Sequence, residues 1–333
     1  MINFRATNRR GAMSFFTLGT RDRIKKDHYL LSIDKLINWA PIRNLLVGMH
    51  INEINPRGGP KAYDNLSMFK ALLLGQWHSL SDPGLEEALR LRIDFMVFSG
   101  FEMGDEVPDE TTLCRFRNRL VERNLYERLF KEINNQLEEH GIKVKKAEAA
   151  LLDATIIPSA ARPRETIEAT TGEVKKSADP DATWVKKGSK SYFGYRGYAI
   201  ADSEKGFIHH LMVKPAHESE IRQVGLLLDE VHGKRLLTDK GFSSTENREQ
   251  VCEKGLRDGI SYKASRGHPL KYSQRLFNKI VAKRRFLIEQ AFGTLKRKFR
   301  MMRASYFTRV KVEAQFYWKA MCFNLNKALR MVQ

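Results

Sequence analysis

The residue pattern of this chain changes near Gly141, from helical spacing to short strand-like runs. Before that glycine, apolar residues recur three and four positions apart, as at Leu66, Phe69 and Leu72, and this spacing predicts short helices in series. After it, β-rich runs alternate with helical stretches, which is typical of an α/β domain. The predicted strands are residues 149–157, 192–201, 207–213 and 235–238, and the predicted helices are 218–231, 244–254 and 279–302.

The pattern divides the 333 residues into three parts, a length that leaves room for two domains. Residues 1–60 are a basic N-terminal arm and a linker, which ends in a Pro- and Gly-rich break. Residues 61–142 are an all-α domain, and residues 143–333 are the α/β domain. Within the latter, residues 159–190 are rich in Thr, Lys, Asp, Ala and Pro without a period, which predicts a mobile loop.

Charge narrows the choice of partner. The chain has 58 Lys and Arg against 39 Asp and Glu, a net charge of +19. A surplus this large is costly self-repulsion unless a polyanion balances it, so nucleic acid is the leading partner. Residues 263–330 alone hold 18 Lys or Arg and only two acids, a net +16. A membrane surface is less favoured, because no apolar run approaches the roughly twenty residues that span a bilayer.

The cysteines and glycines exclude other classes of protein. Cys114, Cys252 and Cys322 are far apart and lack C-x-x-C spacing, so neither a zinc site nor a disulfide framework is predicted. This cysteine usage predicts a reducing, cytoplasmic location. The Gly-rich phosphate loops of nucleotide-binding proteins are absent, so no nucleotide cofactor is expected.

Three acidic residues stand where a carboxylate needs a partner. Asp153 lies inside the first strand-like run, where a charge is disfavoured unless it is paired, hydrogen-bonded or bound to metal. Asp239 follows the last such run, and ligand sites of α/β sheets lie at strand ends. Glu289 shares a face of the predicted helix with Arg285. Each residue taken singly also has a structural explanation. Asp153 fits a core aspartate that is paired with a neighbouring Arg or with backbone amides, and Asp239 fits a plain Asp-Lys-Gly turn. Glu289 fits a surface ion pair with Arg285.

Taken together, the three acids predict a metal site. Hard oxygen ligands suit Mg²⁺ or Mn²⁺. Two such ions can activate an attacking oxygen and stabilise the leaving oxygen of a displacement at phosphorus, so phosphodiester chemistry is the predicted reaction. Cations on the face of Glu289 would hold the DNA backbone. These cations are Arg285, Lys296 and Arg300.

A second basic helix is predicted in the all-α domain. Residues 108–119 begin with helix-capping types and continue with Arg115, Arg117 and Arg119 among the polar positions. Such a helix could recognise DNA in a helix-turn-helix-like domain. It fits equally well a structural helix with a solvated basic face.

Four short motifs carry a family resemblance. They are LDATII at residues 152–157, YFGYRG at 192–197, TDKGF at 238–242 and RFLIEQAFGTLKR at 285–297. Together they resemble the DDE transposases of bacterial insertion sequences, most closely the group numbered five. The resemblance runs from about residue 60 to the C-terminus and is highly specific as a set.

The resemblance implies a ribonuclease H-like catalytic domain, preceded by a helical DNA-binding domain. Asp153, Asp239 and Glu289 would be its metal-binding triad. The implied reaction is hydrolysis at the terminal inverted repeats of the element, followed by attack of the freed 3′-hydroxyls on target DNA. Joining two DNA ends implies at least a homodimer.

The resemblance also bears on the cations of the last motif. A Tyr, Arg, Glu and Lys signature accompanies the third acid of the broader family, and Arg285, Glu289 and Lys296 fit its spacing. Ala282 stands at the tyrosine position, so the role of that tyrosine is not carried over. Arg285 and Lys296 would grip terminal phosphates, and Arg297 and Arg300 are expected on the same DNA-binding side.

Two other functions fit the same residues. One is a DNA-binding protein without catalysis that occupies the inverted repeats and represses the element. The other is a ribonuclease H-like nuclease that cuts DNA without joining it. Intact acids favour catalysis over repression.

Overall fold

The computed structural model describes residues 23–49, 62–163, 166–167, 174–175 and 177–332. These residues form two compact units. One comprises the described residues up to Gln136 together with those from Leu325 onward, and the other runs from Leu137 to Asn324. Most of the predicted N-terminal arm and linker, and part of the predicted loop at residues 159–190, lie outside the described residues.

The first unit is built from helices, as the apolar spacing predicts. They are α1 (Tyr29–Leu36), α2 (Trp39–Leu45), α3 (Asn65–His78), α4 (Asp82–Leu91), α5 (Ile93–Ser99), α6 (Glu110–Glu122) and α7 (Leu125–Glu139), whose last residues belong to the second unit. Helix α3 is buried along nearly its whole length. Helix α4 begins after Ser81, whose hydroxyl accepts a hydrogen bond from the Gly84 amide (3.2 Å), and Pro83 lies in its first turn, where a missing N–H costs little.

The three arginines of α6 do not share one exposed face. Arg117 is buried, and its guanidinium donates to both carboxylate oxygens of Asp82 (2.6 and 2.8 Å). Arg119 is partly buried and donates to the Met49 carbonyl (3.2 Å), whereas Arg115 is exposed. The expected recognition face of Arg115, Arg117 and Arg119 therefore does not hold for Arg117, because its charge neutralises Asp82 inside the unit.

The second unit contains a six-stranded mixed sheet, which bears out the α/β prediction. Its strands are β1 (Ala150–Pro158), β4 (Thr183–Lys187), β5 (Lys190–Asp202), β6 (Ile208–Pro215), β7 (Arg235–Thr238) and β8 (Arg257–Ile260), and β2 (Thr166–Ile167) and β3 (Val174–Lys175) form a separate pair. The order is β4-β5-β1-β7-β8, with β6 also paired to β5. Strand β5 runs antiparallel to β1, β4 and β6, whereas β7 runs parallel to β1 and β8.

Helices complete this unit. They are α8 (Val224–Leu227), α9 (Thr245–Glu253), α10 (Tyr272–Arg297) and α11 (Arg309–Val332), with 3₁₀ helices at Glu220–Gln223, Leu228–Glu230 and Lys240–Phe242. The residues of α11 from Leu325 onward belong to the first unit. The helix predicted over residues 218–231 is thus a series of three short helices, and the sequence pattern does not predict helix α11 or strand β8. Among the described residues, no helix has both the length and the apolar character needed to cross a membrane.

Part of the stretch predicted to be a mobile loop is tied to the sheet. Strand β4 lies within residues 159–190 and pairs with β5. Before it, the buried carboxylate of Asp179 accepts hydrogen bonds from the hydroxyls of Tyr195 and Ser159 and from the Thr308 amide. A buried carboxylate needs such partners, and they lie far away in sequence, so composition alone does not reveal this ordering.

The two faces of strand β1 pack against different parts of the unit. Leu152 belongs to an apolar cluster that includes Tyr198, Leu236 and Phe242. Because side chains alternate along a strand, Leu151 and Asp153 point to the opposite face. Helix α10 lies against β1 and β7 and contacts Asp153. The sheet therefore presents Asp153 to α10.

We predict that Arg117→Ala destabilises the protein by about 3 kcal/mol, because it leaves the Asp82 carboxylate without its cation. The expected fall in melting temperature, measured by circular dichroism, is about 6 °C or more. Arg115→Ala removes an exposed arginine of the same helix and should change stability by less than about 0.5 kcal/mol. Equal effects of the two variants would contradict the structural role of Arg117.

Candidate active site

Parallel pairing of β1 and β7 places two aspartates side by side. Leu152 pairs with Thr238, and Asp153 and Asp239 follow these paired residues along the chain. Strand β7 ends there, so Asp239 precedes a 3₁₀ helix and accepts a hydrogen bond from its first amide, that of Lys240 (2.7 Å). Both carboxylates thus lie at the carboxyl end of β7, the side on which α/β sheets place their ligand sites.

Helix α10 supplies the third acid and a cation that reaches all three. Arg285 Nη2 lies 2.7 Å from Asp153 Oδ2. Its Nη1 lies 3.7 Å from Asp239 Oδ1 and 3.7 Å from Glu289 Oε1. Three acids that are distant in sequence therefore surround one guanidinium. We call this set, Asp153, Asp239 and Glu289, the acidic cluster.

The members of the acidic cluster differ in exposure. The side chain of Asp153 is 15% exposed, whereas those of Asp239 and Glu289 are 44% and 55% exposed. Burial raises the pKa of Asp153 above its usual range, against the lowering effect of Arg285. The Arg285 side chain is itself only 9% exposed. The cluster therefore combines a fixed, buried carboxylate with two that are open to solvent.

The donor set fits a divalent cation. Carboxylate oxygens are the ligands that Mg²⁺ and Mn²⁺ prefer, and the cluster offers them from three residues. That Arg285 lies within 3.7 Å of an oxygen of each acid shows that the cluster accepts positive charge at its centre. The exposure of Asp239 and Glu289 leaves a path by which an ion and its water ligands reach them.

A second ion pair supports the segment after Asp239. Arg196, in the YFGYRG motif, donates to Glu220 Oε1 (2.9 Å). The other oxygen of Glu220 lies against Gly241 of the TDKGF motif, and a Cβ at Gly241 would stand 2.2 Å from it. Because glycine has no side chain, Glu220 can pack against this segment and keep its hydrogen bond to Arg196.

The cations predicted to bind DNA differ in their solvent exposure. Arg285 is buried beside the acids, so in this structure its guanidinium faces carboxylates and does not present an open phosphate contact. Lys296 is half-buried, and Arg297 and Arg300 are exposed. Arg300 lies beyond the end of α10 with a positive φ of 51°, so the predicted helix face that includes Glu289 does not extend to it.

The turn between β4 and β5 carries a basic surface that the sequence analysis does not identify. Lys187 pairs with Lys190 across the strands, and both are exposed. Partial burial, and then the charge of Lys187, lower the pKa of Lys296 on α10. We call Lys187, Lys190 and Lys296 the lysine cluster. The Gly188-Ser189 pair between basic residues is a hairpin signal that could have located its first two members.

Sequence comparison matches the chain to two protein families. Residues 144–325 match the family described as "Transposase DDE domain". Residues 19–119 match a second family, described as "Transposase domain (DUF772)". The class of protein is that of the DDE-domain transposases.

Individual relatives refine this class. The chain is 42% identical over 265 residues to the "Transposase for insertion sequence element IS1106" of Neisseria meningitidis serogroup B, which covers 78% of this chain and 88% of that protein. The chain belongs to the DDE transposases of insertion sequences. Its fold is similar to that of the piggyBac transposase in a cryo-EM structure of a synaptic complex with hairpin DNA. The TM-score is 0.50 at 12% identity, over 91% of this chain and 75% of that chain.

We predict that Gly241→Ala lowers the melting temperature by about 3 °C, because the new methyl group displaces Glu220 and breaks its bond to Arg196. Gly293→Ala is the matched control. Its Cβ would meet only the end of the Arg297 side chain, at 3.1 Å, so the better helix propensity of alanine should leave stability unchanged or higher. A Gly241→Ala protein as stable as wild type would show that Glu220 does not constrain the segment.

Proposed function

We propose that this transposase cleaves DNA at the terminal inverted repeats of its insertion sequence and joins the freed 3′-hydroxyl ends to target DNA. The observation that carries the proposal is the arrangement of Asp153, Asp239 and Glu289 around the guanidinium of Arg285, at the carboxyl end of β7. Two of these acids follow paired residues of adjacent parallel strands. This arrangement, in a mixed sheet, supports a ribonuclease H-like catalytic domain.

The acidic cluster would hold two Mg²⁺ or Mn²⁺ ions, which supply an activated oxygen nucleophile and stabilise the leaving oxygen in an in-line displacement. Asp153 provides a fixed ligand, because it is buried within β1. Asp239 and Glu289 are exposed and can adjust to a substrate phosphate. Water is the nucleophile in cleavage, and a DNA 3′-hydroxyl is the nucleophile in joining.

The basic surfaces would hold the DNA. The two ammonium groups of Lys187 and Lys190 lie on directly opposed strand positions, an arrangement that destabilises a strand pair unless an anion neutralises it. A phosphodiester backbone supplies that anion. Arg297 and Arg300 are exposed and would extend the contact, and Arg115 remains available on the helical unit. The joining of two ends calls for at least two copies of the chain.

We predict that Asp239→Asn and Glu289→Gln each reduce cleavage of DNA that carries the element's own ends by more than about a hundredfold, since each removes a metal ligand. DNA binding should stay near normal, because neither acid is a phosphate contact. Cleavage in Mg²⁺ or Mn²⁺ is followed on labelled DNA, and binding by mobility shift.

Glu313→Gln is the matched control for these acids. Glu313 is the other acid of residues 263–330, and it pairs with Arg309 (2.7 Å) away from the cluster. Its replacement should leave cleavage unchanged. Wild-type protein that binds the ends without cutting them would favour the repressor, and cutting without strand-transfer product would favour the nuclease.

We predict that Lys187→Ala, Lys190→Ala and Lys296→Ala each weaken binding to all DNA sequences and reduce the slope of log affinity against log salt by about one. The slope is measured by fluorescence anisotropy over a range of salt concentrations. Lys254→Ala, which removes an exposed lysine already paired with Asp229, should leave the slope unchanged. Wild-type slopes in all three variants would remove the lysine cluster from the DNA surface.

A further inference from the structure

Arg285 is held at the centre of the acidic cluster almost entirely by the acids themselves. Its two terminal nitrogens face Asp153, Asp239 and Glu289, at 2.7, 3.7 and 3.7 Å. The third nitrogen, Nε, is buried and has no hydrogen-bond partner in the part of the chain that the structure describes. Among the described residues, the polar contacts that hold the guanidinium are therefore those to the three carboxylates.

The attraction of Arg285 to the three acids opposes a second cation. A guanidinium that contacts an oxygen of each acid offsets the mutual repulsion of the three carboxylates. A divalent ion bound by these oxygens would stand within a few ångströms of the guanidinium, where like charges repel strongly in a partly buried site. The cluster therefore cannot give its full attraction to both cations at once.

We propose that Arg285 is an internal counter-cation, which assembles and neutralises the acidic cluster in the metal-free protein and competes with divalent ions for it. Metal loading then requires the guanidinium to release Asp153. The inference rests on the proposed function in one respect, namely that the acidic cluster binds metal. It assigns Arg285 a positioning role that differs from the phosphate contact expected from the sequence.

Removal of Arg285 is expected to lower the stability of the metal-free protein but to raise its affinity for divalent ions. Without Arg285, the metal-free protein is less stable, because Asp153 stays buried without a counter-charge. The affinity for divalent ions nevertheless rises, because a competing cation is gone. An arginine with a purely structural role would produce only the first effect, and the loosened acids would bind metal no more tightly.

The test is a titration of the full-length protein with Mn²⁺ alone, followed by calorimetry, together with thermal unfolding in the absence of metal. Arg285→Gln should bind Mn²⁺ about tenfold more tightly than wild type and melt about 5 °C lower. Arg284→Gln is the matched control, since it removes the same charge from the exposed neighbouring position of α10. It should change neither quantity beyond about twofold and 1 °C.

Unchanged or weaker Mn²⁺ binding by Arg285→Gln would overturn the proposal. If that variant does not fold, Arg285→Lys decides, because a single ammonium cannot bridge three acids and so competes less well. Tighter binding than wild type supports the proposal, and equal or weaker binding overturns it.

Asp239→Asn, titrated in parallel, separates this inference from the proposed function. If Asp239→Asn weakens Mn²⁺ binding and Arg285→Gln does not strengthen it, the cluster binds metal and only the counter-cation role fails. If Asp239→Asn binds Mn²⁺ as wild type does, the acidic cluster is not the metal site, and both proposals fail.

Discussion

The ion pair between Arg285 and Asp153 is the interaction on which the candidate site depends. A carboxylate inside a strand is expensive to bury, and burial raises the pKa of Asp153 for that reason. The guanidinium of α10 offsets this cost at 2.7 Å and thereby fixes the helix against the central strand. Because Glu289 lies one helical turn after Arg285, the same contact brings the third acid to the carboxyl end of β7. One buried pair thus sets the geometry of the whole cluster.

Local sequence patterns account for much of the fold and for the choice of candidate acids. The strand-like run that contains Asp153 and the strand before Asp239 are short-range features, and the structure confirms them. Asp153 and Asp239 could be singled out because a carboxylate beside or within an apolar run needs an explanation. What local patterns do not contain is the pairing of β1 with β7, which makes the two aspartates neighbours.

Contacts between residues distant in sequence explain where the structure departs from the predicted one. Helical spacing places Arg285 and Glu289 on one face, but it does not say which of them meets the sheet, and only Arg285 is buried. The sequence pattern groups Arg117 with the exposed arginines of its helix, because it does not show that the partner of Arg117, Asp82, lies on another helix. Strand β8 has the polar sequence RDGI and shows no strand period. In each case a contact between distant residues overrides the local preference.

The acids of the acidic cluster have a cationic partner in Arg285, whereas the lysine cluster has no acidic partner among the described residues. This difference bears on the order of events in the proposed function. Three ionised carboxylates would repel an approaching phosphate, but the guanidinium of Arg285 offsets that repulsion while the site holds no metal. Lys187 and Lys190, by contrast, oppose one another directly and gain most from a polyanion. In the proposed function, the lysines would therefore provide the first attraction for DNA. On the counter-cation proposal, the acidic cluster would take up a divalent ion only when the guanidinium of Arg285 releases Asp153.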